Sequence, residues 1–223
     1  MDSLYRGSLA TSRGRALAWI DSLLIDHGAL RLVWSNAAEV LPGALYRSNH
    51  PTPGRLARDV RRWGLRSVIN LRGATGNGSD ALSREAAARL GLAFYDVPMS
   101  SGRAPPRERV LALVAALQSA PAPALVHCKS GADRAGFAAA VHVLLHGGDT
   151  GAALRHMSLR HGHLRRSRAG VLDAFILRYA AEAEGRREFL AWLREEYDEA
   201  ALNRDFVAGG LASFVQTRLL ARE

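Results

Sequence analysis

Cysteine and lysine are nearly absent from this sequence. Each occurs once among 223 residues, as the neighbouring Cys128 and Lys129. A single cysteine excludes an internal disulfide framework and is typical of proteins in a reducing compartment. Because arginine takes the place of lysine everywhere else in the chain, the position of Lys129 beside the only thiol favours a functional role for it.

Long apolar runs and nucleic-acid motifs are also missing. No stretch of about eighteen apolar residues is present, so the sequence predicts no transmembrane helix. The segment from Ala16 to Leu24 is interrupted by Asp21 and is not typical of a signal peptide, so we expect a cytoplasmic protein. The formal net charge of +9 favours an anionic partner, but scattered arginines without a recognition motif argue against nucleic acid.

The most informative segment is residues 122–145. An apolar run ends at Val126 and leads into His127 and Cys128, and a short glycine-containing loop then leads into a helical run from Ala135. A loop between a strand and a helix turns backbone N–H groups inward and forms an anion-binding nest at the positive end of the helix dipole. The segment therefore predicts a reactive thiolate, since these groups favour the charged sulfur.

Arg134 closes this loop and supplies the chemistry of phosphate binding. Its planar guanidinium can hold two phosphate oxygens at once, which a lysine cannot do. A thiolate beside a bound phosphate ester can attack phosphorus and form a cysteinyl-phosphate that water then hydrolyses. The competing interpretation is a structural cysteine buried at an α/β turn, which would not need a nest and an arginine after it.

The sequence HCKSGADRAG, from His127 to Gly136, resembles the signature of the cysteine-dependent protein tyrosine and dual-specificity phosphatases. The YRS sequence ending at Ser48 and the INLR sequence ending at Arg72 are similar to segments of bacterial and fungal members of that superfamily. The resemblance extends over residues 30–165. A rhodanese-like sulfurtransferase is a third interpretation, but the cysteine-to-arginine spacing and Gly136 argue against it.

The resemblance implies a role for each residue of the loop. Cys128 would be the nucleophile, and Arg134 would bind the phosphate together with the backbone N–H groups of residues 129–134. His127 would orient the loop. Arg47 either braces the loop from outside or lies at an ordinary strand end. The expected substrate-binding residues are Lys129, Ser130, Gly131, Ala132, His127, Arg72 and Arg47. The chemistry needs no metal or other cofactor.

The leaving alcohol needs a proton, so a general acid is expected. Many superfamily members place an aspartate in the loop before the catalytic strand, but residues 99–106 contain no acidic residue. Asp133 is the favoured candidate, because it resembles the aspartate before the arginine in myotubularin-type and some bacterial lipid phosphatases. An ion pair or a loop hydrogen bond is its alternative role. Asp96, within a predicted strand, is the second candidate.

Ala135 departs from the superfamily pattern, in which a serine or threonine follows the arginine and stabilises the departing thiolate. Ser130 would replace that hydroxyl only if it faced the sulfur. Slow turnover is therefore expected, and a pseudophosphatase that binds a phosphorylated ligand is the alternative function. The expected partner is a phosphorylated anion: phosphotyrosine protein, a phospholipid head group or an inositol phosphate. Lys129 and Asp133 favour the latter two.

Strands that alternate with helices predict an α/β fold. We expect three layers with a central, mostly parallel sheet of four to five strands flanked by helices, as in dual-specificity phosphatases, and extra terminal helices. The predicted divisions are an N-terminal tail with an amphipathic helix (1–29), a phosphatase domain (30–170) and a C-terminal helical extension packed on it (171–223). The first helix is expected to pack on the domain. Contact with a membrane surface is the alternative, which the acidic residues of the helix disfavour. The oligomeric state stays open.

Histidines and arginines are dense between residues 156 and 168. The histidines His156, His161 and His163 are expected at the surface or in structural roles, because no thiol or carboxylate lies near them in sequence to complete a metal site. The arginines of this stretch are expected to line one rim of the pocket. They are Arg160, Arg165, Arg166 and Arg168.

Overall fold

A computed structural model describes residues 3–5, 7–26, 29 and 33–206 of the chain. By its internal packing the chain divides into two compact units. The first comprises residues 1–98 and 119–131, and the second comprises residues 99–118 and 132–223. The boundaries that we expect at residues 29 and 170 stay a prediction.

The first unit contains the sheet. Its strands are β1 (Ala38–Leu41), β2 (Leu45–Ser48), β3 (Ser67–Asn70), β4 (Ala93–Asp96) and β5 (Ala124–His127). They lie in the order β1-β2-β5-β3-β4, with β1 antiparallel to β2 and all other neighbouring pairs parallel. Ser48 and Asn70 are the register partners of His127. The carboxyl ends of three parallel strands therefore align, which is where ligands bind in open α/β sheets.

The helices of the first unit follow local sequence signals. They are α1 (Ser12–Ile20), which continues as a π-helical turn (Asp21–Ile25), α2 (Pro53–Trp63) and α3 (Gly78–Arg89). Thr52 Oγ1 caps α2 by accepting from the Arg55 N–H, and Gly64 ends the helix at φ +65°, as a threonine and a glycine at these positions predict. Asn77 caps α3, because its Oδ1 accepts from the Asp80 N–H at 2.9 Å.

Helices α2 and α3 share an apolar core with the sheet. The Tyr46 ring stacks on Trp63 with the ring centroids 4.5 Å apart. The other buried members of this cluster are Leu56, Leu65, Val68, Ala86, Ala87, Leu92 and Leu125. Each large apolar side chain buried here stabilises the fold by about 2 kcal/mol relative to an exposed one.

Helix α1 is tied to α3 through one buried acid. The two Asp21 carboxylate oxygens accept hydrogen bonds from the backbone N–H groups of Leu4 and Gly78, both at 2.7 Å. A Cβ on Gly78 would lie only 2.2 Å from the Ala18 carbonyl oxygen, so the two helices meet at a position that requires glycine. The amphipathic N-terminal helix therefore packs within the first unit.

The second unit is helical. Its helices are α4 (Arg107–Ser119, with its last residue in the first unit), α5 (Asp133–Leu145), α6 (Thr150–Arg155), α7 (Gly170–Glu182), α8 (Phe189–Glu195) and α9 (Glu199–Asp205). Phe175 lies at the centre of an aromatic cluster that includes Trp192 and Tyr197, with centroid distances of 5.4 and 4.7 Å. Helices α8 and α9 are separate, since Asp198 caps α9 by accepting from the N–H groups of Ala200 and Ala201.

The α/β fold with a mostly parallel sheet, flanking helices and extra C-terminal helices is confirmed. The rest of the predicted C-terminal extension, residues 207–223, lies outside the described residues. None of the described helices combines the length and the apolar character needed to cross a membrane.

Candidate active site

Cys128 follows the central strand β5 and is almost fully buried, with 1% of its surface exposed. The backbone N–H of Gly131 points at its Sγ over 3.2 Å. A backbone donor aimed at sulfur stabilises negative charge there. The loop therefore directs a backbone donor at the buried Cys128 sulfur.

The scaffold of the first unit holds the outer side of the loop through its carbonyl groups. The His50 N–H donates to the Lys129 carbonyl at 3.3 Å, and the Asn36 side-chain amide donates to the Ser130 carbonyl at 3.1 Å. The fully buried Arg47 donates from Nη2 to the Gly131 carbonyl. Three successive carbonyls are thus bound from outside, while the Gly131 N–H turns inward to Cys128 Sγ. Arg47 therefore lies in the bracing position.

Position 131 in this loop requires glycine. Its φ is +76°, in the left-handed region, and an added Cβ would lie 2.6 Å from the backbone nitrogen of Asn49. The same residue supplies the N–H that reaches Cys128 Sγ and the carbonyl that Arg47 binds. The glycine thus lets the loop approach β2 closely while it aims a donor at the sulfur.

Two of the predicted basic residues share one buried acid. Arg72 makes a bidentate ion pair with Asp26, with N–O distances of 2.7 and 2.8 Å, and Lys129 Nζ lies 3.4 Å from the same carboxylate. Arg72 Nη1 also lies 3.2 Å from His50 Nδ1. Asp26 and His50 were not predicted as site residues, because their contacts join segments far apart in the chain.

Asp133 begins α5 and is bound to a histidine. Its Oδ1 lies 2.7 Å from His163 Nδ1, and His163 Nε2 lies 2.5 Å from Asp173 Oδ2. Burial opposes charge on this imidazole, but the hydrogen bonds and charges of the two aspartates outweigh it and raise the pKa of His163 to about 9. His163 is buried between two carboxylates instead of at the surface, so the surface interpretation is wrong for this histidine.

The remaining predicted residues are placed as follows. Arg134 is half-buried in the first turn of α5, and its Nη1 lies 3.4 Å from the Met99 carbonyl. Ala132 precedes α5 and is buried, whereas Ser130 is exposed. His127 is fully buried at the end of β5, with its ring edge-on to that of His50.

Asp96, the second candidate acid, lies at the end of β4. Its Oδ1 accepts hydrogen bonds from the Asn70 side-chain amide at 2.9 Å and from Arg84 at 2.8 Å. The Asp96 carboxylate is therefore bound by both an amide and a guanidinium.

Metal ligands are not grouped in the described part of the chain. No set of three or more histidine, cysteine, aspartate or glutamate side chains lies close enough there to hold an ion.

The sequence and the fold were compared with known proteins. Residues 48–145 match the family profile described as "Beta-lactamase hydrolase-like protein, phosphatase-like domain". The matched segment is therefore similar to a phosphatase-like domain over less than half of the chain. The predicted resemblance to cysteine-dependent phosphatases agrees with this match, and the matched segment contains the loop from Cys128 to Arg134. A search of curated proteins by sequence found no significant match.

The chain also has the fold of solved structures. TpbA from P. aeruginosa is 23% identical, with 76% of this chain and 89% of TpbA covered and a TM-score of 0.51. A mutant form of Tk-PTP is 18% identical, with 65% of this chain and 96% of that protein covered and a TM-score of 0.50. At this identity the likeness establishes the fold.

Proposed function

We propose that this protein hydrolyses phosphomonoesters through a cysteinyl-phosphate intermediate. The observation that carries the proposal is the Gly131 N–H aimed at Cys128 Sγ in a loop whose carbonyls are bound from outside. In the first step the thiolate attacks phosphorus, and the bond to the leaving oxygen breaks as that oxygen takes a proton from Asp133. In the second step water attacks the phosphocysteine, and inorganic phosphate and the thiolate are released.

The backbone amides of residues 129–134 and Arg134 act on the transferring phosphoryl group. Charge accumulates on its equatorial oxygens in the transition state, and preorganised donors stabilise that charge more than they stabilise the substrate. The test is rapid quenching during turnover of p-nitrophenyl phosphate. We expect release of p-nitrophenol and a phosphoprotein labelled at Cys128. Absence of both would contradict the proposal.

A cavity in the second unit bears on the substrate. It has a volume of about 760 Å³ and combines apolar side chains, among them Leu154, Met157 and Leu159, with Arg160, Arg165 and Arg166. His163 lies in its wall and bonds to Asp133. Three of the four arginines between residues 160 and 168 therefore line this cavity. An apolar cavity with cationic groups beside the proposed acid favours a phosphorylated lipid over a small inositol phosphate.

Replacing Lys129 tests the substrate class. Its side chain is 43% exposed and is the nearest partly exposed cation to the nucleophile in sequence. We expect Lys129→Gln to raise KM for a bisphosphorylated inositol lipid about fivefold, the effect of one exposed charge, and to leave KM for p-nitrophenyl phosphate nearly unchanged. Lys129→Arg is the matched control and should keep the wild-type preference. Equal effects on both substrates would contradict a role in head-group recognition.

The pseudophosphatase alternative rests on Ala135. It is fully buried at the start of α5 and offers no hydroxyl. We expect Ala135→Thr to accelerate breakdown of the phosphoenzyme about tenfold, the contribution of a hydroxyl that stabilises a charged leaving group. Single-turnover kinetics separate this step from phosphoenzyme formation, and Ala135→Val controls for the added volume. Wild-type protein that binds phosphate but never forms a phosphoenzyme would establish the alternative.

A further inference from the structure

We propose that Asp133 and His163 act together as one proton donor and acceptor, with Asp173 as the residue that positions His163. The inference rests on the proposed function and deepens it, because it concerns how the leaving oxygen obtains its proton. It replaces a lone aspartate by a carboxylate–imidazole–carboxylate series that runs inward from α5.

The geometry places one carboxylate at each nitrogen of the imidazole ring. Asp133 Oδ1 lies 2.7 Å from Nδ1, and Asp173 Oδ2 lies 2.5 Å from Nε2. Both nitrogens of a histidine can donate only when the ring is protonated. Asp173 is fully buried, and its second oxygen accepts from Arg165 Nε at 2.8 Å, so its orientation is fixed.

Exposure decreases along the series. The Asp133 side chain is 30% exposed, whereas the side chains of His163 and Asp173 are fully buried. Only Asp133 can therefore exchange a proton with a bound ester, and His163 acts through it. In the described part of the chain, the charged groups that face His163 are Asp133 on α5, Asp173 on α7 and, behind Asp173, Arg165.

The proton that leaves His163 is replaced by the end of one catalytic cycle. The charged pair consists of an imidazolium and the Asp133 carboxylate. Transfer of the Nδ1 proton gives an Asp133 carboxylic acid and a neutral imidazole that keeps its Nε2–H on Asp173. Asp133 then gives this proton to the oxygen that leaves phosphorus. When water attacks the phosphocysteine, its proton returns to Asp133 and His163, and the starting state is restored.

Asp133 with His163 and Asp133 alone predict different dependences of kcat on pH. Because the pKa of His163 is raised to about 9, the pair keeps its proton at neutral pH and loses it as the pH rises through about 9. Asp133 without His163 would have to carry the proton alone, and an ordinary aspartate is ionised above about pH 4. Removal of His163 should therefore move the alkaline limb of the kcat profile toward acid.

The experiment compares wild type, His163→Gln and the matched control His161→Gln on two aryl phosphates. Phenol is the poorer leaving group and depends on the acid, whereas p-nitrophenol leaves without much help. We expect His163→Gln to lower kcat for phenyl phosphate about 100-fold and kcat for p-nitrophenyl phosphate less than about fivefold. The alkaline limb of the phenyl phosphate profile should shift toward acid, and His161→Gln should leave both properties unchanged.

A second variant covers the case in which His163→Gln does not fold. Asp173→Asn keeps the imidazole and removes one charge that favours its protonated form, so the alkaline limb should again move toward acid. An unchanged pH profile in the folded variants, with equal loss on both esters, would overturn the inference while leaving the phosphatase intact. A wild-type protein that releases no p-nitrophenol would instead contradict the proposed function itself.

Discussion

Replacing Cys128 with serine is expected to abolish phosphate release. The thiolate is the group that attacks phosphorus, and a serine hydroxyl in the same place stays protonated and is a much weaker nucleophile. We expect kcat for p-nitrophenyl phosphate to fall at least about a thousandfold, the loss that follows removal of an enzymatic nucleophile. The measurement is steady-state release of p-nitrophenol together with quenched-flow detection of phosphoprotein.

The Cys128→Ser variant should still bind phosphate. The loop carbonyls remain attached to Arg47 and Asn36, so the amides keep their direction. Titration calorimetry with orthophosphate or tungstate should therefore give an affinity close to that of the wild type. A Cys128→Ser protein that hydrolyses the ester at an undiminished rate would show that the sulfur is not the nucleophile.

The second large effect is expected at Gly131. In Gly131→Ala the new methyl group would lie 2.6 Å from the Asn49 nitrogen and 2.8 Å from the Ser48 carbonyl carbon, and both atoms belong to backbone that cannot swing aside. The left-handed φ adds strain. We expect the free energy of unfolding to fall by about 2 kcal/mol and kcat/KM to fall about 100-fold, because the donor to Cys128 Sγ moves.

Gly43→Ala is the matched control. Gly43 lies in the turn between β1 and β2, has a φ of +68°, and has no atom within 4 Å of an added Cβ. The free energy of unfolding of Gly43→Ala should therefore fall by only about 1 kcal/mol, because of the backbone conformation, and the variant should keep full activity. Chemical denaturation and the phosphatase assay, applied to both variants, separate general glycine strain from the close approach of the loop to β2. Equal losses of activity would contradict the proposed role of Gly131.

The parts of the fold that were predictable are those set by neighbours in sequence. Thr52, Pro53 and Gly64 specify the two ends of α2 by local hydrogen bonding and backbone preference. The run into Cys128 and the helix after Arg134 are also local signals, and both are present as β5 and α5. The sequence HCKSGADRAG was therefore sufficient to place the loop between a parallel strand and a helix.

The parts that were not predictable depend on distant segments. Asp26 meets Arg72 across 46 positions, and Asp133 meets His163 across 30. The histidine was expected at the surface or in a structural role because no carboxylate is close to it in sequence, yet tertiary packing brings two to it. Single-sequence reasoning detects residue types and local spacing, and it has no access to such contacts.

The attachment of the first helix has a practical consequence for the design of shortened forms. A version that starts at residue 30, where the family resemblance begins, would lack Asp26 and Asp21. Arg72 would then lose the carboxylate that it binds in a buried position, and the first N–H of α3 would lose its acceptor. Such a fragment is therefore a poor choice for crystallisation or ligand screening, and trimming from the amino end should stop before Leu4.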